Sequence, residues 1–202
     1  MVDDVRLAFI VQSKDIQPFI PELLEGIQDM NWPNACSIVE ILSAHPEEVM
    51  PHVKGILLSD DTMWVYWILE RLIPNWPLHL VKAVQAELII LLNRLDPYEE
   101  NDLKAACILL DSGLMKWSDV SEVIVAKEEQ VVAQLSVYSA EQIEHFEELE
   151  RYRIEVLLND PRLIVEYVQE KNEILKMKSK YETQVGYLES IREFREQCEG
   201  IS

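Results

Sequence analysis

The chain has 202 residues, of which 49% are hydrophobic, and its 37 acidic and 18 basic side chains give a formal net charge of −19. This length and composition predict a substantial buried core. The acidic excess argues against nucleic acid and anionic membranes as partners, because each phosphate contact normally needs a lysine or an arginine. It favours a basic protein as partner, although the same charge would also serve solubility alone.

The glycines and cysteines narrow the class of protein further. The five glycines are all isolated, so the sequence has no glycine-rich loop for a nucleotide and too little turn chemistry for an all-β fold. Cys36, Cys107 and Cys198 lie far apart and form no CxxC pair, which predicts reduced thiols in a cytoplasmic protein. Cys36 and Cys107 fall in apolar helical segments and are expected in the core. We expect neither a signal peptide nor a membrane span.

Short breaks that contain proline divide the first half of the chain into predicted helices. The proline of each break is expected in the first turn of the next helix, where its missing N–H costs nothing. Asn31-Trp32-Pro33 recurs 44 residues later as Asn75-Trp76-Pro77, a spacing typical of HEAT and armadillo units. We therefore predict an all-α, HEAT/armadillo-like solenoid over residues 1–117, with Trp32 and Trp76 as staples between successive helices. LHLVKAVQAELIILLNRL, residues 78–95, is expected to be one buried helix.

The second domain, residues 118–202, has a different pattern. SDVSEVIVAKEEQVVAQLSVY predicts one amphipathic helix, although β-branched residues leave a short strand as an alternative. A capping box at Ser139 and Gln142 opens a second helix, whose inward side chains are predicted to be Ile143, Phe146, Leu149, Ile154 and Leu157. Pro161 begins a last helix of about 35 residues.

The last helix carries a narrow apolar stripe that repeats at close to 3.5 residues. Its members are Ile174, Met177, Tyr181, Val185, Leu188 and Ile191. The stripe predicts a long antiparallel helical hairpin with the helix before it. The hairpin is expected to pack within the chain, and a homodimer through residues 139–198 is the alternative.

Three of the five tryptophans lie within SDDTMWVYWILERLIPNWP, residues 59–77. On a helix, Trp64 shares one side with apolar neighbours and is predicted to be core. Trp67 falls on another side, where it can stack on Arg71 one turn later and remain partly open to a partner. Asp60 and Asp61 suit the N-cap and first turn of this helix.

The segment LDPYEENDLKAAC crowds four carboxylates at a predicted helix start: Asp96, Glu99, Glu100 and Asp102. Four carboxylates exceed what a cap needs. If the helical units stack, Asp60 and Asp61 lie near them, and the six form an acidic ridge for lysine or arginine of a partner. The alternative is a plain solvated face.

Candidate catalytic and metal-binding residues are few. The residues His45, Glu48 and His52 follow i, i+3, i+7 spacing. However, His45 precedes a proline at a predicted cap position, and no HExxH motif occurs. The four histidines cannot be matched to a serine or cysteine nucleophile, and there is no G-x-S-x-G element. We expect no enzyme, no cofactor and no metal.

The run from about Asn31 to Leu110 resembles an uncharacterised bacterial family known only as a domain of unknown function. The resemblance is carried by NWP (31–33), DDTMWVYWILERLIP (60–74) and DPYEENDLKAACIL (96–109). It implies an all-helical, HEAT-like module with no assigned activity, similar to small proteins that act as immunity partners of bacterial toxins. The expected function is steric occlusion of a basic toxin domain by the acidic ridge and Trp67; the alternative is a scaffold that self-associates through its C-terminal hairpin.

Overall fold

The computed structural model describes residues 2–199 of the chain. These residues form α-helices, short 3-10 and π turns, and loops, without a strand, which confirms the all-α prediction and removes the alternative strand near residue 120. The chain divides into two compact units, Met1–Val123 and Ile124–Ser202. No helix among residues 2–199 combines the length and the apolar character needed to cross a membrane.

The described residues contain eleven α-helices. The first eight are α1 Asp4–Gln12, α2 Ile20–Glu25, α3 Ala35–Ser43, α4 Pro46–Leu57, α5 Thr62–Arg71, α6 Leu78–Ala83, α7 Gln85–Leu92 and α8 Asn101–Asp111. They are followed by α9 Trp117–Leu135, α10 Ala140–Tyr152 and α11 Ile164–Glu199. A π turn, Arg153–Leu157, directly continues α10, and a 3-10 turn, Pro161–Leu163, leads into α11.

The helix starts follow the predicted rule in part. Pro46 is the first residue of α4, as predicted. The other two prolines lie before the first turn of their helices. Pro33 directly precedes Asn34, which is the N-cap of α3, and Pro77 is itself the N-cap of α6. The predicted single helix over residues 78–95 is also wrong, because the chain breaks at the buried Val84 between α6 and α7.

Helices α2 to α8 enclose the core of the first unit. Helix α4 packs against α2, α5 and α7, while α8 packs against α5 and α7. The buried residues include Leu24, Leu42, Leu57, Ile68, Leu69, Leu88 and Leu92. Trp76 is buried, Trp32 is half-buried, and the half-buried Trp64 donates its indole N–H to the carbonyl of Leu24 over 3.0 Å. Trp64 and Trp76 therefore take part in the packing between helices.

The cysteine prediction is wrong for two residues. Cys36 on α3 and Cys107 on α8 are both exposed. Their helices bury other faces, marked by Ile38 on α3 and Ala105 and Ala106 on α8. An apolar segment does not place every small residue in the core, because a helix has only one buried stripe when solvent covers its other side.

In the second unit, side-chain contacts join α11 to both α9 and α10. Gln184 donates to Gln134 of α9 over 2.8 Å, and Lys178 contacts Glu150 of α10 at 2.9 Å. The capping box at the start of α10 is confirmed: Ser139 Oγ accepts from the Gln142 backbone N–H, and the Gln142 side chain accepts from the Ser139 backbone N–H. Helix α11 has 36 residues, close to the predicted length.

One residue predicted to point inward does not. Phe146, Leu149 and Leu157 are buried, but Ile154 is exposed. The prediction counted 3.6 residues per turn, whereas Ile154 lies in the π turn, where hydrogen bonds of the i→i+5 type widen the helix and change the angle between successive side chains.

Candidate functional site

An open cleft of about 460 Å³ lies in the first unit, between α5 and the loop that precedes α8. It is lined by Met63, Tyr66, Trp67, Tyr98, Glu99, Glu100 and Lys104. We call it the aromatic–acidic cleft, because three aromatic rings and two carboxylates form most of its wall. Tyr98 is 72% exposed and Met63 is also exposed, so part of this wall is apolar surface in contact with water.

The aromatic side of the cleft is built by two neighbouring residues of α5. The rings of Tyr66 and Trp67 meet edge to face, with centroids 4.8 Å apart and planes at 87°, an arrangement that the ring quadrupoles favour. Each ring also lies near a cation: Arg71 is 5.8 Å from the Trp67 centroid, and Lys104 Nζ is 4.5 Å from that of Tyr66. The predicted contact between Trp67 and Arg71 is therefore confirmed.

The acidic side of the cleft is a loop that Asp96 and Asn101 hold in place. Asp96 accepts hydrogen bonds from the backbone N–H of Glu99 at 3.2 Å and from the Asn101 side chain at 2.8 Å. Asn101 is buried and also donates to the carbonyl of Thr62 over 2.8 Å. Because Thr62 begins α5 and Asn101 begins α8, this side chain joins the two helix starts and positions the loop beside α5.

The two carboxylates of the cleft each have one unusual property: Glu99 has a shifted pKa, and Glu100 has a left-handed backbone conformation. Burial, together with repulsion from Asp96, raises the pKa of Glu99 above its ordinary value. Glu100 adopts a left-handed conformation with φ of 55° as the N-cap of α8. That region is costly for a residue with a Cβ, by about 1–2 kcal/mol, and such strain is often concentrated at functional sites.

The cleft is not lined by the other four acidic residues predicted for the site, which are Asp60, Asp61, Asp96 and Asp102. Asp60 and Asp61 lie exposed at the N-terminus of α5, where Asp61 Oδ1 accepts from the Trp64 backbone N–H. They are near the start of α8 through the contact between Thr62 and Asn101. The Asp96 carboxylate accepts the hydrogen bonds that hold the loop, and Asp102 is only 1% exposed.

Asp102 is thus a correction to the predicted acidic ridge. It sits in the first turn of α8 on the same side as the buried Leu103 and Ala106, so its carboxylate does not reach the surface. The accessible part of the ridge reduces to the exposed Asp60 and Asp61 and to the half-buried Glu99 and Glu100 of the cleft.

Sequence reasoning missed Met63, Tyr66, Tyr98 and Lys104 as members of the site. The signal for Tyr98 was present, since an aromatic residue directly after a proline in an acidic loop has no helix face to bury it. Lys104 gave no signal, because its place depends on how α8 packs against α5. There it pairs with Glu70 over 2.7 Å and covers Tyr66.

The predicted metal candidates do not converge. His45 Nδ1 lies 3.8 Å from Glu48, and His52 is exposed. Within residues 2–199 no group of three histidine, cysteine, aspartate or glutamate side chains is arranged to hold a metal ion.

The role of Asn101 leads to a first prediction. We expect Asn101→Ala to lower the free energy of unfolding by about 1–2 kcal/mol, because the Thr62 carbonyl and Asp96 both lose the donor that the buried Asn101 side chain supplies. The control is Asn93→Ala, which removes a hydrogen bond to the Ile89 carbonyl at an exposed position. Urea unfolding followed by tryptophan fluorescence measures both variants, since all five tryptophans precede residue 124. Equal losses would contradict the positioning role of Asn101.

Residues 3–106 match the model of a protein family described as Domain of unknown function (DUF5071). The match covers more than half of the chain, so the chain belongs to this family. It begins earlier than the resemblance predicted from Asn31, and it contains every residue that lines the aromatic–acidic cleft. No curated protein matches the chain.

Proposed function

We propose that this member of the DUF5071 family is a non-enzymatic protein-binding module that holds a basic partner in the aromatic–acidic cleft. The observation that carries the proposal is the convergence of exposed aromatic and apolar side chains with two carboxylates in one open cleft. Tyrosine, tryptophan and methionine are enriched at protein interfaces, where a few such side chains supply most of the binding energy.

The chemistry of the cleft fits a lysine or arginine side chain of the partner. Glu99 and Glu100 supply the negative charge, and the exposed ring of Tyr98 can cover the aliphatic stem and attract the cation. A cation beside Glu99 would oppose the burial and the repulsion from Asp96 that together raise the pKa of Glu99. The net charge of −19 adds long-range attraction and speeds the encounter.

The most concrete form of this proposal is a bacterial immunity protein that acts in the cytoplasm. In that role the chain would cover a basic toxin domain and block it sterically. The support is the acidic composition, the wide spacing of the three cysteines in the sequence and the similarity in profile to small acidic immunity proteins. This is an argument by analogy of class, and the cleft supplies the chemical part of it.

Two finer features of the architecture belong to the same proposal. We propose that the first unit is a degenerate HEAT-like repeat, supported by helix α4 packing on both α2 and α7 while α5 packs on α8. We propose that α10 and α11 form the antiparallel hairpin, supported by Lys178 beside Glu150 and Tyr167 stacked on Tyr152.

The proposal predicts that reversing the charge of the cleft abolishes capture of the basic partner. The purified chain serves as bait in lysate of the source organism at low and moderate salt, followed by mass spectrometry. We expect wild-type chain to retain a basic protein, and Glu99→Lys/Glu100→Lys to lose at least about tenfold in recovery. Trp67→Ala should also reduce recovery, because it removes the aromatic wall.

The matched control is Glu147→Lys/Glu148→Lys, which changes two adjacent exposed glutamates of α10 and gives the same net charge. This control should retain the partner. Recovery of the same basic protein by the cleft variant and the control alike would refute binding through the cleft. If the captured protein is toxic when expressed alone and harmless with the wild-type chain, the immunity role is supported.

The alternative function is a scaffold that self-associates through residues 139–198. The observation in its favour is a group of exposed apolar side chains between α10 and α11. This alternative does not exclude the cleft, because the two surfaces are made by different units of the chain.

A further inference from the structure

The second unit carries an exposed apolar surface where α10 ends and α11 begins. We call it the apolar tip. It comprises Tyr152, Ile154, Leu158, Leu163, Ile164, Val165 and Val168, whose exposed fractions range from 37% to 65%. Seven large apolar side chains exposed within 17 residues exceed the scattered single exposures of an ordinary protein surface, and such a patch marks an interaction site.

The tip lacks packing that the rest of α11 has. Along residues 164–173 no side chain is buried, and Tyr167 is half-buried. Farther along, Lys178, Tyr187 and Ile191 are buried. A helix gains most of its stability from packing an apolar face. The first ten residues of α11 therefore present an apolar face that another molecule can cover.

The two arms of the tip are held together by their own aromatic contact. The rings of Tyr152 and Tyr167 stack with centroids 5.2 Å apart and planes at 22°. Arg162 donates to Asp160 over 2.7 Å at the turn between the arms. These contacts shape the tip before any partner arrives, which lowers the entropy cost of binding.

The tip and its flanking residues carry no net charge. Residues 151–171 contain four basic side chains and four acidic ones, so this segment is neutral, and the whole net charge of −19 lies outside it. A basic partner or a nucleic acid has no reason to select a neutral surface in an acidic protein. A second copy of the chain fits such a surface, because a neutral segment with both signs of charge adds no net repulsion when two copies of an acidic protein meet there.

We propose that the apolar tip is the face through which two copies of this chain form a homodimer. A two-fold interface brings the same surface together twice and must be self-complementary. An apolar centre within a segment of four basic and four acidic side chains meets that condition. Dimerisation needs no toxin or other partner, so it is independent of the function proposed for the cleft.

The test is sedimentation equilibrium of the purified chain and of Leu158→Glu/Val165→Glu, at chain concentrations from about 1 to 100 µM. Wild-type chain is expected to be dimeric at the upper end. The tip variant is expected to raise the dimer dissociation constant by about a hundredfold or more, because each charge is buried twice in a two-fold interface. Far-UV circular dichroism verifies that the variant keeps its helices.

The matched control is Val132→Glu/Val137→Glu, which adds the same charge at two exposed apolar positions of the second unit outside the tip. It should dimerise like wild type. Arg162→Glu provides a second probe at an exposed side chain, and it should weaken the dimer about tenfold at low salt by making the tip acidic. A monomeric wild-type chain at 100 µM, or equal dimerisation of the tip variant and wild type, would overturn the proposal.

A monomer would leave the cleft proposal standing, because partner capture is measured with variants of the first unit. Conversely, a dimer that captures no basic protein would support the tip and remove the cleft proposal. Each experiment can therefore refute its own proposal without affecting the other one.

Discussion

Replacing Trp76 with alanine is expected to lower the free energy of unfolding of the first unit by about 3–5 kcal/mol. Trp76 is 7% exposed and lies against Ile73, Leu78, Val81 and Ile108, which border a cavity of about 240 Å³ next to it. Alanine would enlarge this cavity, and the helices that the indole joins cannot collapse fully into the space. Denaturant unfolding followed by the fluorescence of the remaining tryptophans measures the loss.

The second copy of the same tripeptide provides the control. Trp32 occupies the equivalent place in Asn31-Trp32-Pro33, but it is half-buried, so Trp32→Ala should cost about half as much or less. Trp76→Phe should cost less than Trp76→Ala, because the ring remains and a buried indole N–H without an acceptor in the described residues is removed. If Trp32→Ala destabilises as much as Trp76→Ala, burial does not explain the role of Trp76.

Replacing Lys178 with alanine is expected to destabilise the second unit by about 2–3 kcal/mol. Its side chain is 9% exposed and its ammonium contacts Glu150 at 2.9 Å and Glu182 at 2.5 Å. Removing one partner of a buried ion pair leaves charge uncompensated. The loss stays below the full cost of a buried pair, because both carboxylates retain access to water.

The control for this variant is Lys176→Ala. Lys176 pairs with Glu173 at 3.0 Å on the exposed side of the same helix, so its removal should change stability by less than about 0.5 kcal/mol. Because the second unit contains no tryptophan, tryptophan fluorescence reports the first unit alone, while far-UV circular dichroism reports the helices of both units. Unfolding of the second unit is the part of the circular dichroism change that fluorescence does not follow. A loss confined to the fluorescence signal would contradict the assignment of Lys178 to the second unit.

We expect a fall in pH to weaken the same cluster, in which Glu150 contacts Arg153 and Lys178. Hydrogen bonds from Arg153 and then Lys178 lower the pKa of Glu150 from 4.5 to about 2. A carboxyl with a depressed pKa in the folded state contributes stability that is fully present above its unfolded pKa and is lost as pH falls from 4.5 towards 2. The difference in stability between wild type and Lys178→Ala should therefore shrink over this range.

Local sequence rules predicted much of the fold. The capping box at Ser139 and Gln142 formed because it depends on residues three apart in the chain. Pro46 began α4 because proline fits a first helical turn. The absence of strands from residues 2–199 agrees with the lack of alternation and of turn glycines in the sequence. The break at Val84 and the π turn at 153–157 were missed, because neither has a breaker residue or a cap that marks it.

The candidate site was predictable only in part. Trp67, Arg71, Glu99 and Glu100 were identified because a helical period and a charge cluster can be read locally. Asp102 was misplaced, because the packing of α8 against α5 and α7 decides which side of its first turn is buried. The same packing brings Lys104 over Tyr66, a contact between residues 38 positions apart for which the sequence carries no periodic signal.

The sequence determines the helical class, the acidic charge and the local starts of most helices, since these depend on composition and on neighbours within a few residues. The cleft between α5 and α8, and the exposure of the tip between α10 and α11, arise from contacts between distant segments. Which side of each helix is covered is a property of tertiary packing, because an apolar stripe specifies a face to bury and leaves open the partner that buries it.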